Sequence, residues 1–382
     1  MIYIYETKSI LRRDPCTPLA SGYEAIDDSP AINDALKACG SGGTIVLPAD
    51  QTYSIYTPID FTPCKSCDFQ IEGQLIIAGN RWEYWAGMDS VFTLSGVHDV
   101  RVRSLSGKGL IDGNAIGYYT TRFDSGVNAE VPFARITNGS SGISIENLTM
   151  KNVMHRFFRV ERSSTNISLS NLKLSMEQQW GLNPRSQHDA VGIELVDTTN
   201  VAISNVDMNV KVRQAHAPGT AGICVAIDVL THNVTVRNMT CTGAFGGALI
   251  TLGIAGNTRL TPEQEANTVS NIYVSDLTFD GQVATGFLSL GVNSAMTNIT
   301  WDGVTVLKGT PAEGFLCYLK CRCFTSYVPN CDRQLSSTVT GIWFKRFRGR
   351  LPAMPTDLGA EGSTPHTVRE YHFEDWQNST VV

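Results

Sequence analysis

The chain has 382 residues, of which 30 are lysine or arginine and 36 are aspartate or glutamate, giving a formal net charge of −6. This balance offers no broad basic face and therefore excludes nucleic acid as an expected partner. The longest apolar runs, such as residues 248–254, fall far short of the roughly 20 residues that a bilayer span needs, so no membrane span is predicted.

The N-terminus and the cysteines bear on the compartment. MIYIYETKSI has neither the basic start nor the apolar run of a signal peptide, so we expect this chain to lack its native beginning. Ten cysteines fall in three even clusters, which favours disulfides and a secretory or extracellular location; a reduced protein with buried thiols is the alternative. Seven N-x-S/T sequons also fit a secreted glycoprotein. The C-terminal cysteine spacing matches no zinc ribbon, and neither a metal nor a cofactor is predicted.

The first predicted element is a short amphipathic helix over residues 29–39, SPAINDALKAC. Ser29 is placed as its N-cap and Pro30 as its first helical residue, and apolar side chains recur at one face. We expect this helix to cover the start of the main domain, which is predicted to span residues 28–340 after an N-terminal segment of residues 1–27.

A repeat follows along most of the chain. Each unit begins at a polar turn, runs through alternating residues rich in Val and Ile, turns at Asn or Asp, and runs again, as in TNISLSNLKLS and TNVAISNVDMNV. A third short strand, such as GIELV or CVAID, follows in most units. The leading asparagines suit turns because their side chains bond nearby backbone and tolerate a left-handed conformation; they are Asn166, Asn200, Asn233, Asn271 and Asn298.

Three strands per irregular repeat predict an all-β parallel β-helix, a three-sheet solenoid in which each coil buries its inward face by stacking on its neighbours. A β-sandwich is the competing architecture, but it would not explain so many similar consecutive units. Residues 341–382 do not follow the repeat pattern and are predicted to form a C-terminal cover.

Several motifs then carry a resemblance. SPAINDALKACGSGGTIVLPADQTYSI, CDFQIEGQLI, GKGLIDGNAIGYY and the paired NVxIxN units are similar to the polygalacturonases of fungi and plants, glycoside hydrolase family 28. The resemblance runs from about residue 28 to about residue 309. It implies a single-stranded right-handed parallel β-helix with a sugar-binding groove along one sheet, and a disulfide between Cys224 and Cys241.

The chemistry of this family is where the sequence departs from it. Inverting hydrolysis needs one carboxylic acid and one carboxylate, about 6.5–9.5 Å apart. The resemblance places the three family acids, the histidine and the two basic residues on positions that hold, in this chain, Val191, Gly222, Ile223, Phe245, Leu288 and Leu290. Five of the six are bulky and apolar, which indicates a pocket for a largely apolar ligand.

Other carboxyl groups could restore acid–base chemistry. Asp189 lies two residues before Val191, Glu194 occupies a neighbouring acid position of the family, and Asp228 stands where the family has lysine. Two carboxylates on neighbouring coils could form a new pair. The alternative is that Asp189 and Asp228 are turn or strand-end acids bonded to backbone. Glu194 is predicted to point outward from its coil.

An insertion over residues 211–220, KVRQAHAPGT, is predicted to lie at the lip of the groove, as a lid or as a harmless surface loop. Lys211 and Arg213 could donate hydrogen bonds to a ligand, and His216 could transfer a proton, although a lone loop histidine is more often merely solvated. His188, beside Asp189, is the better-placed partner.

Two further residues are candidates for contacting a ligand. Arg156 follows the coil that ends at Val153 and could line the groove, and Trp180 could stack on a sugar or cap a coil. Packing explains either residue equally well.

Three functions remain open from the sequence. The first is an enzyme with new chemistry on a largely apolar small molecule, such as a cyclisation or isomerisation in secondary metabolism. The second is a diverged glycoside hydrolase that uses relocated carboxylates on a pectic polysaccharide. The third is a non-catalytic polysaccharide binder. In each case a small-molecule or oligosaccharide ligand is expected in the groove.

Overall fold

The computed structural model describes residues 14–79, 81–118, 131–177, 190–210, 222–250, 267–287, 294–307, 337–351 and 366–378. Within these ranges the chain forms two helices and 21 strands, and neighbouring strands pair in parallel.

The N-terminal elements are short, two to six residues for every strand up to residue 151. In chain order they are α1 (Ser29–Cys39), β1 (Thr44–Leu47), β2 (Thr52–Ile55), β3 (Ile59–Asp60), β4 (Asp68–Ile71), β5 (Gln74–Ile77), α2 (Trp82–Ala86), β6 (Phe92–Ser95), β7 (Arg101–Arg103), β8 (Leu110–Asp112), β9 (Pro132–Thr137), β10 (Ser141–Glu146) and β11 (Thr149–Lys151).

Most of the strands after residue 155 are longer, because they run through the turns that separate the earlier ones. They are β12 (Arg156–Val160), β13 (Ser164–Met176), β14 (Val191–Leu195), β15 (Thr198–Val210), β16 (Ile223–Ile227), β17 (Thr231–Ile250), β18 (Asn267–Phe287), β19 (Ser294–Val306), β20 (Ser337–Gly349) and β21 (His366–Asn378).

The strands stack into three sheets that wind around one core. The first sheet runs β1–β4–β7–β10–β13 and onward, and the second runs β2–β5–β8–β11 into the later half of β13. The third runs β3–β6–β9–β12–β14–β16 into the end of β17. The predicted parallel β-helix is therefore confirmed, and its coils wind in the right-handed sense.

Alternation along each strand builds the core. In β13, Ile167, Leu169 and Leu174 are buried, whereas the serines and lysine between them are more exposed. Equivalent apolar side chains stack from coil to coil: Leu169 pairs in register with Ile203 on β15. Each coil buries its inward face on its neighbours, as expected for a solenoid.

The predicted turn asparagines form a ladder of hydrogen bonds on the outside of the first sheet. All five have φ between 55° and 59°. Their side-chain amides donate from each rung to the preceding one, over distances of 3.2, 3.2, 2.9 and 2.7 Å. Asparagine fits this position because it tolerates the left-handed region and its amide can both donate and accept.

The helix α1 forms where it was predicted, with a different cap. Ile32 and Leu36, four residues apart on one face, are fully buried against the core. Asp28 occupies the N-cap position without a side-chain capping bond, and Ser29 is the first helical residue. The assignment of Ser29 as the N-cap is thus corrected by one residue.

The C-terminal part differs more from its prediction. β20 pairs with β19, and β21 pairs with β20, in the same parallel register as the earlier coils. Phe344 on β20 stacks between Trp301 and Phe373, with ring centroids 5.1 and 5.0 Å apart. The described residues after 341 therefore add coils to the solenoid, and they do not break the repeat. The repeat is hidden in the sequence of these residues because aromatic side chains take the places of Val and Ile.

No helix in the described ranges is long and apolar enough to cross a membrane.

Candidate functional site

The outward face of the third sheet brings together two of the positions singled out from the resemblance, Val191 and Ile223. Val191 on β14 pairs in register with Ile223 on β16, and Ile223 pairs with Gly246 on β17. Glu194 pairs with Ala226, three residues further along the same two strands. These positions therefore lie on adjacent coils of one surface.

Four apolar side chains on this face form a small cluster separate from the main core. They are Val191, Ile223, Ala226 and Leu249, and they are between 0 and 8% exposed. Gly246 lies among them: a Cβ placed there would come within 2.5 Å of Leu249 and 3.3 Å of Ile223. The structure thus brings the predicted apolar residues Val191 and Ile223 together, and it packs them closely. Their role in ligand binding stays a prediction.

A network of charged side chains, most of them buried or partly buried, adjoins this cluster. Nε of Arg156 lies 2.6 Å from Oε2 of Glu194, and a terminal nitrogen of Arg159 lies 3.1 Å from the same oxygen. The Arg156 contact lacks the alignment of a hydrogen bond, so the interaction is an ion pair. Arg156 also contacts Nδ1 of the adjacent His155. The predicted groove residue Arg156 is therefore engaged by protein groups in this structure.

The network continues toward the N-terminal coils. Glu161 accepts hydrogen bonds from Nε of Arg159 and Nε of Arg135, each at 2.6 Å. Arg135 in turn reaches Asp89 at 2.9 Å. Since Arg135 pairs in register with Arg159, and Arg159 with Glu194, the three side chains follow one line across three coils.

The pKa values of the two glutamates of this network shift in opposite directions. Burial raises the pKa of Glu194, whose side chain is fully removed from water, although the guanidinium groups of Arg156 and Arg159 oppose the rise. Burial also disfavours ionised Glu161, but the charges and hydrogen bonds of Arg159 and Arg135 outweigh it and hold the pKa of Glu161 below its usual range. Glu194 therefore keeps its proton to higher pH than Glu161 does.

Asp228 lies directly after β16, at the same end of the face. Its side chain is 1% exposed, and Oδ1 accepts a hydrogen bond from the backbone amide of Val229 at 2.7 Å. This contact is the backbone bonding that the sequence offered as an alternative to catalysis. Because Glu194 pairs with Ala226, Asp228 stands one coil and two residues away from Glu194.

The disulfide implied by the resemblance is present. Cys224 and Cys241 are joined with an S–S distance of 2.03 Å, and both are buried. Cys16–Cys39 and Cys64–Cys67 are also paired, which is typical of an oxidising compartment.

Most of the other predicted site residues lie outside the described ranges. This holds for Trp180, His188, Asp189, Lys211, Arg213, His216, Leu288 and Leu290. Phe245 is part of β17, but its side chain is outside the described part. Their roles stay predictions.

Among the side chains that the structure describes, no group of three or more His, Cys, Asp or Glu could hold a metal ion.

Several members of the charged network, among them Arg135 and Glu161, were not found from the sequence. The available signal is charge within an apolar strand: PFARIT and RFFRVER each place arginine between residues that point into the core. A charged residue at such a position needs a partner, and the partner lies on another coil.

Comparison with known proteins gives the family. The model of Glycosyl hydrolases family 28 matches residues 39–287. A protein of Neosartorya fischeri named "Probable endo-xylogalacturonan hydrolase A" is 34% identical over 266 residues, which is 70% of this chain and 60% of that protein. The "Endo-xylogalacturonan hydrolase A" of Aspergillus tubingensis is 32% identical over 304 residues, 78% of this chain and 69% of that protein. The chain thus spans less than two thirds of the length of the first of these relatives.

Solved structures agree in fold. The crystal structure of endo-xylogalacturonan hydrolase from Aspergillus tubingensis superimposes with a TM-score of 0.75 at 26% identity, covering 96% of this chain and 93% of that one. Endopolygalacturonase I from Stereum purpureum, complexed with two galacturonate, superimposes with a TM-score of 0.57 at 15% identity, over 94% of this chain and 100% of that one. The chain belongs to glycosyl hydrolase family 28.

Proposed function

We propose that the chain is a glycoside hydrolase that acts on a galacturonan-type pectic polysaccharide, with Glu194 as general acid and Asp228 as general base. The substrate class rests on the family and on relatives named as endo-xylogalacturonan hydrolases. The assignment of these two carboxyl groups rests on their placement on adjacent coils of the third sheet.

The placement of the two residues on adjacent coils, two positions apart in register, is the observation that carries the proposal. Neighbouring strands lie about 4.8 Å apart and two residues along a strand span about 6.6 Å, so the two Cα atoms are about 8 Å apart on the diagonal. Inverting glycosidases hold their carboxyl groups about 6.5–9.5 Å apart, leaving room for a water molecule. Side chains that start from Cα atoms at this separation can bring two carboxyl groups into that range, and hydrolysis with inversion is the reaction that we propose.

The direction of the pKa shift at Glu194 fits the role of the acid. A carboxyl group whose pKa is raised by burial retains a proton for the glycosidic oxygen. Asp228 would take a proton from the water that attacks the anomeric carbon, while the bond to the leaving oxygen breaks. Both carboxyl groups are buried, so a sugar ring must displace neighbouring groups to reach them.

The apolar cluster favours a second candidate function. Val191, Ile223, Ala226 and Leu249 could meet a largely apolar small molecule, and the chain would then catalyse a cyclisation or an isomerisation. We place this candidate second because the four side chains pack against one another and are buried, and because the relatives are named as polysaccharide hydrolases.

Release of new reducing ends from polygalacturonate and from xylogalacturonan tests the proposal. Hydrolysis of either polymer supports it, whereas binding without new reducing ends would favour a non-catalytic polysaccharide binder. A protein that neither hydrolyses nor binds these polymers would favour an apolar ligand. If Asp189→Asn abolishes hydrolysis and Glu194→Gln does not, the acid–base pair is wrongly assigned.

The location is proposed to be extracellular. The disulfides found among the described residues support this proposal, because such bonds persist mainly in oxidising compartments.

A further inference from the structure

The segment before α1 is fixed firmly against the first coils. Cys16 is bonded to Cys39 at the end of α1. The hydroxyl of Tyr53 on β2, itself fully buried, donates to the carbonyl oxygen of Pro18 at 2.6 Å. The segment 14–28 is therefore a preformed wall, and a ligand that used it would bear little ordering cost.

Further hydrogen bonds hold the part of this wall that faces outward. The backbone amide of Ala20 donates to Oε1 of Gln51, and that of Ser21 donates to Oδ1 of Asp28, each at 2.7 Å. The hydroxyl of Tyr56 donates to the carbonyl oxygen of Glu24 at 2.7 Å.

A cleft of about 520 Å³ lies between this wall and the second sheet. Tyr23 and Glu24 border it from the wall, and Thr52 on β2 and Gln74 on β5 border it from the sheet, with Asp50 at the turn before β2. Its size is that of a small-molecule site. It belongs to the second sheet, whereas Glu194 and Asp228 belong to the third.

The side chains of this cleft suit a sugar. Tyr23 is 70% exposed, so its ring can receive the apolar face of a pyranose. The carboxylates of Glu24 and Asp50 accept hydrogen bonds from sugar hydroxyl groups, and the amide of Gln74 and the hydroxyl of Thr52 can both donate and accept.

The charges of the cleft select against acidic sugars. Its two ionisable acids are Glu24 and Asp50, and none of the residues that line it is lysine, arginine or histidine. A galacturonate carboxylate would meet two like charges there without a compensating cation. An uncharged sugar meets no such cost.

We propose that this cleft is a second carbohydrate site, which binds an uncharged oligosaccharide. It would hold a neutral glycan while the third sheet acts on a polysaccharide. The ligand of the cleft does not depend on whether the third sheet is hydrolytic.

Isothermal titration calorimetry with the full chain tests whether this cleft binds an uncharged oligosaccharide. The probes are xylotetraose, tetragalacturonate and a glucosamine tetramer, with the variants Tyr23→Ala and Leu19→Ala. Leu19 is a matched control, because it is 71% exposed on the same segment and does not border the cleft. We expect xylotetraose to bind, Tyr23→Ala to weaken it at least tenfold, and Leu19→Ala to leave it unchanged.

Three results would overturn the proposal: no binding of xylotetraose, binding that Tyr23→Ala does not weaken, or weakening by Tyr23→Ala of only the acidic or the amino-sugar tetramer. If tetragalacturonate binds equally well to both variants, it binds at another surface. That result agrees with the exclusion of acidic sugars from the cleft.

Discussion

Nε of Arg156 lies 2.6 Å from Oε2 of Glu194 on the next coil, and the carboxyl group of Glu194 is fully buried. An ion pair of this kind gains Coulomb energy but loses the hydration of both groups. At Glu194 the loss dominates, because burial raises its pKa in spite of two neighbouring arginines. Glu161, on the preceding coil, has the opposite balance.

This contrast predicts different costs for two similar substitutions. Glu161→Gln leaves the partly buried Arg159 and Arg135 without their shared carboxylate. Loss of one partner costs about 3–5 kcal/mol in a fully buried pair, and we expect somewhat less here. Glu194→Gln removes a carboxyl group whose charged form burial disfavours, so we expect a smaller loss of stability than for Glu161→Gln. Urea unfolding at pH 7 measures both, and equal destabilisation would contradict the assignment.

The same two residues predict opposite dependences on pH. The pKa of Glu161 is lowered, so its stabilising contribution is present above its ordinary value of 4.5 and is lost as pH falls through the lower folded value. The pKa of Glu194 is raised, so its contribution is present below 4.5 and is lost as pH rises through the folded value.

The measurement is the free energy of unfolding from pH 3 to 8 for the wild type and both variants. The difference between wild type and Glu161→Gln should shrink toward acid. Relative to the wild type, Glu194→Gln should gain stability as pH rises above 4.5. Parallel curves for the two variants would show that the two carboxyl groups do not differ.

The asparagine ladder predicts a third pair of variants. Asn200 has φ of 59°, donates to Asn166 and accepts from Asn233, each at 3.2 Å. Asn200→Gly keeps the backbone conformation and loses these two hydrogen bonds, at about 1 kcal/mol. Asn200→Ala loses them and adds left-handed strain of about 1–2 kcal/mol. We expect a lower thermal unfolding midpoint for Asn200→Ala than for Asn200→Gly. The reverse order would show that the left-handed backbone conformation does not limit the stability of this turn.

Local chemistry explains why so much of the fold could be predicted. Asn200 and its equivalents mark their turns without reference to distant residues, and the alternation in TNISLSNLKLS assigns the inward side chains directly. The helix α1 was likewise predictable, because Pro30 and the spacing of Ile32 and Leu36 act within one segment.

The candidate site was less predictable because its contacts join different coils. Val191 and Ile223 could be placed together only through the resemblance, which supplied the register that the structure shows. The pairing of Arg135 with Glu161 spans 26 residues, and the sequence next to either residue does not identify its partner. Coil length varies between units, so the sequence alone could not align these charges.

The rate of reducing-end release by Glu194→Gln tests the account most directly. Polygalacturonate and xylogalacturonan are the substrates, and Asp197→Asn is the matched control, an acid three residues along the same coil that accepts a hydrogen bond from the Ser163 amide at 3.1 Å. If Glu194 is the general acid, Glu194→Gln lowers the wild-type rate by about 10²–10⁴-fold while remaining folded, and Asp197→Asn does not. A folded Glu194→Gln protein that hydrolyses at the wild-type rate would contradict the account.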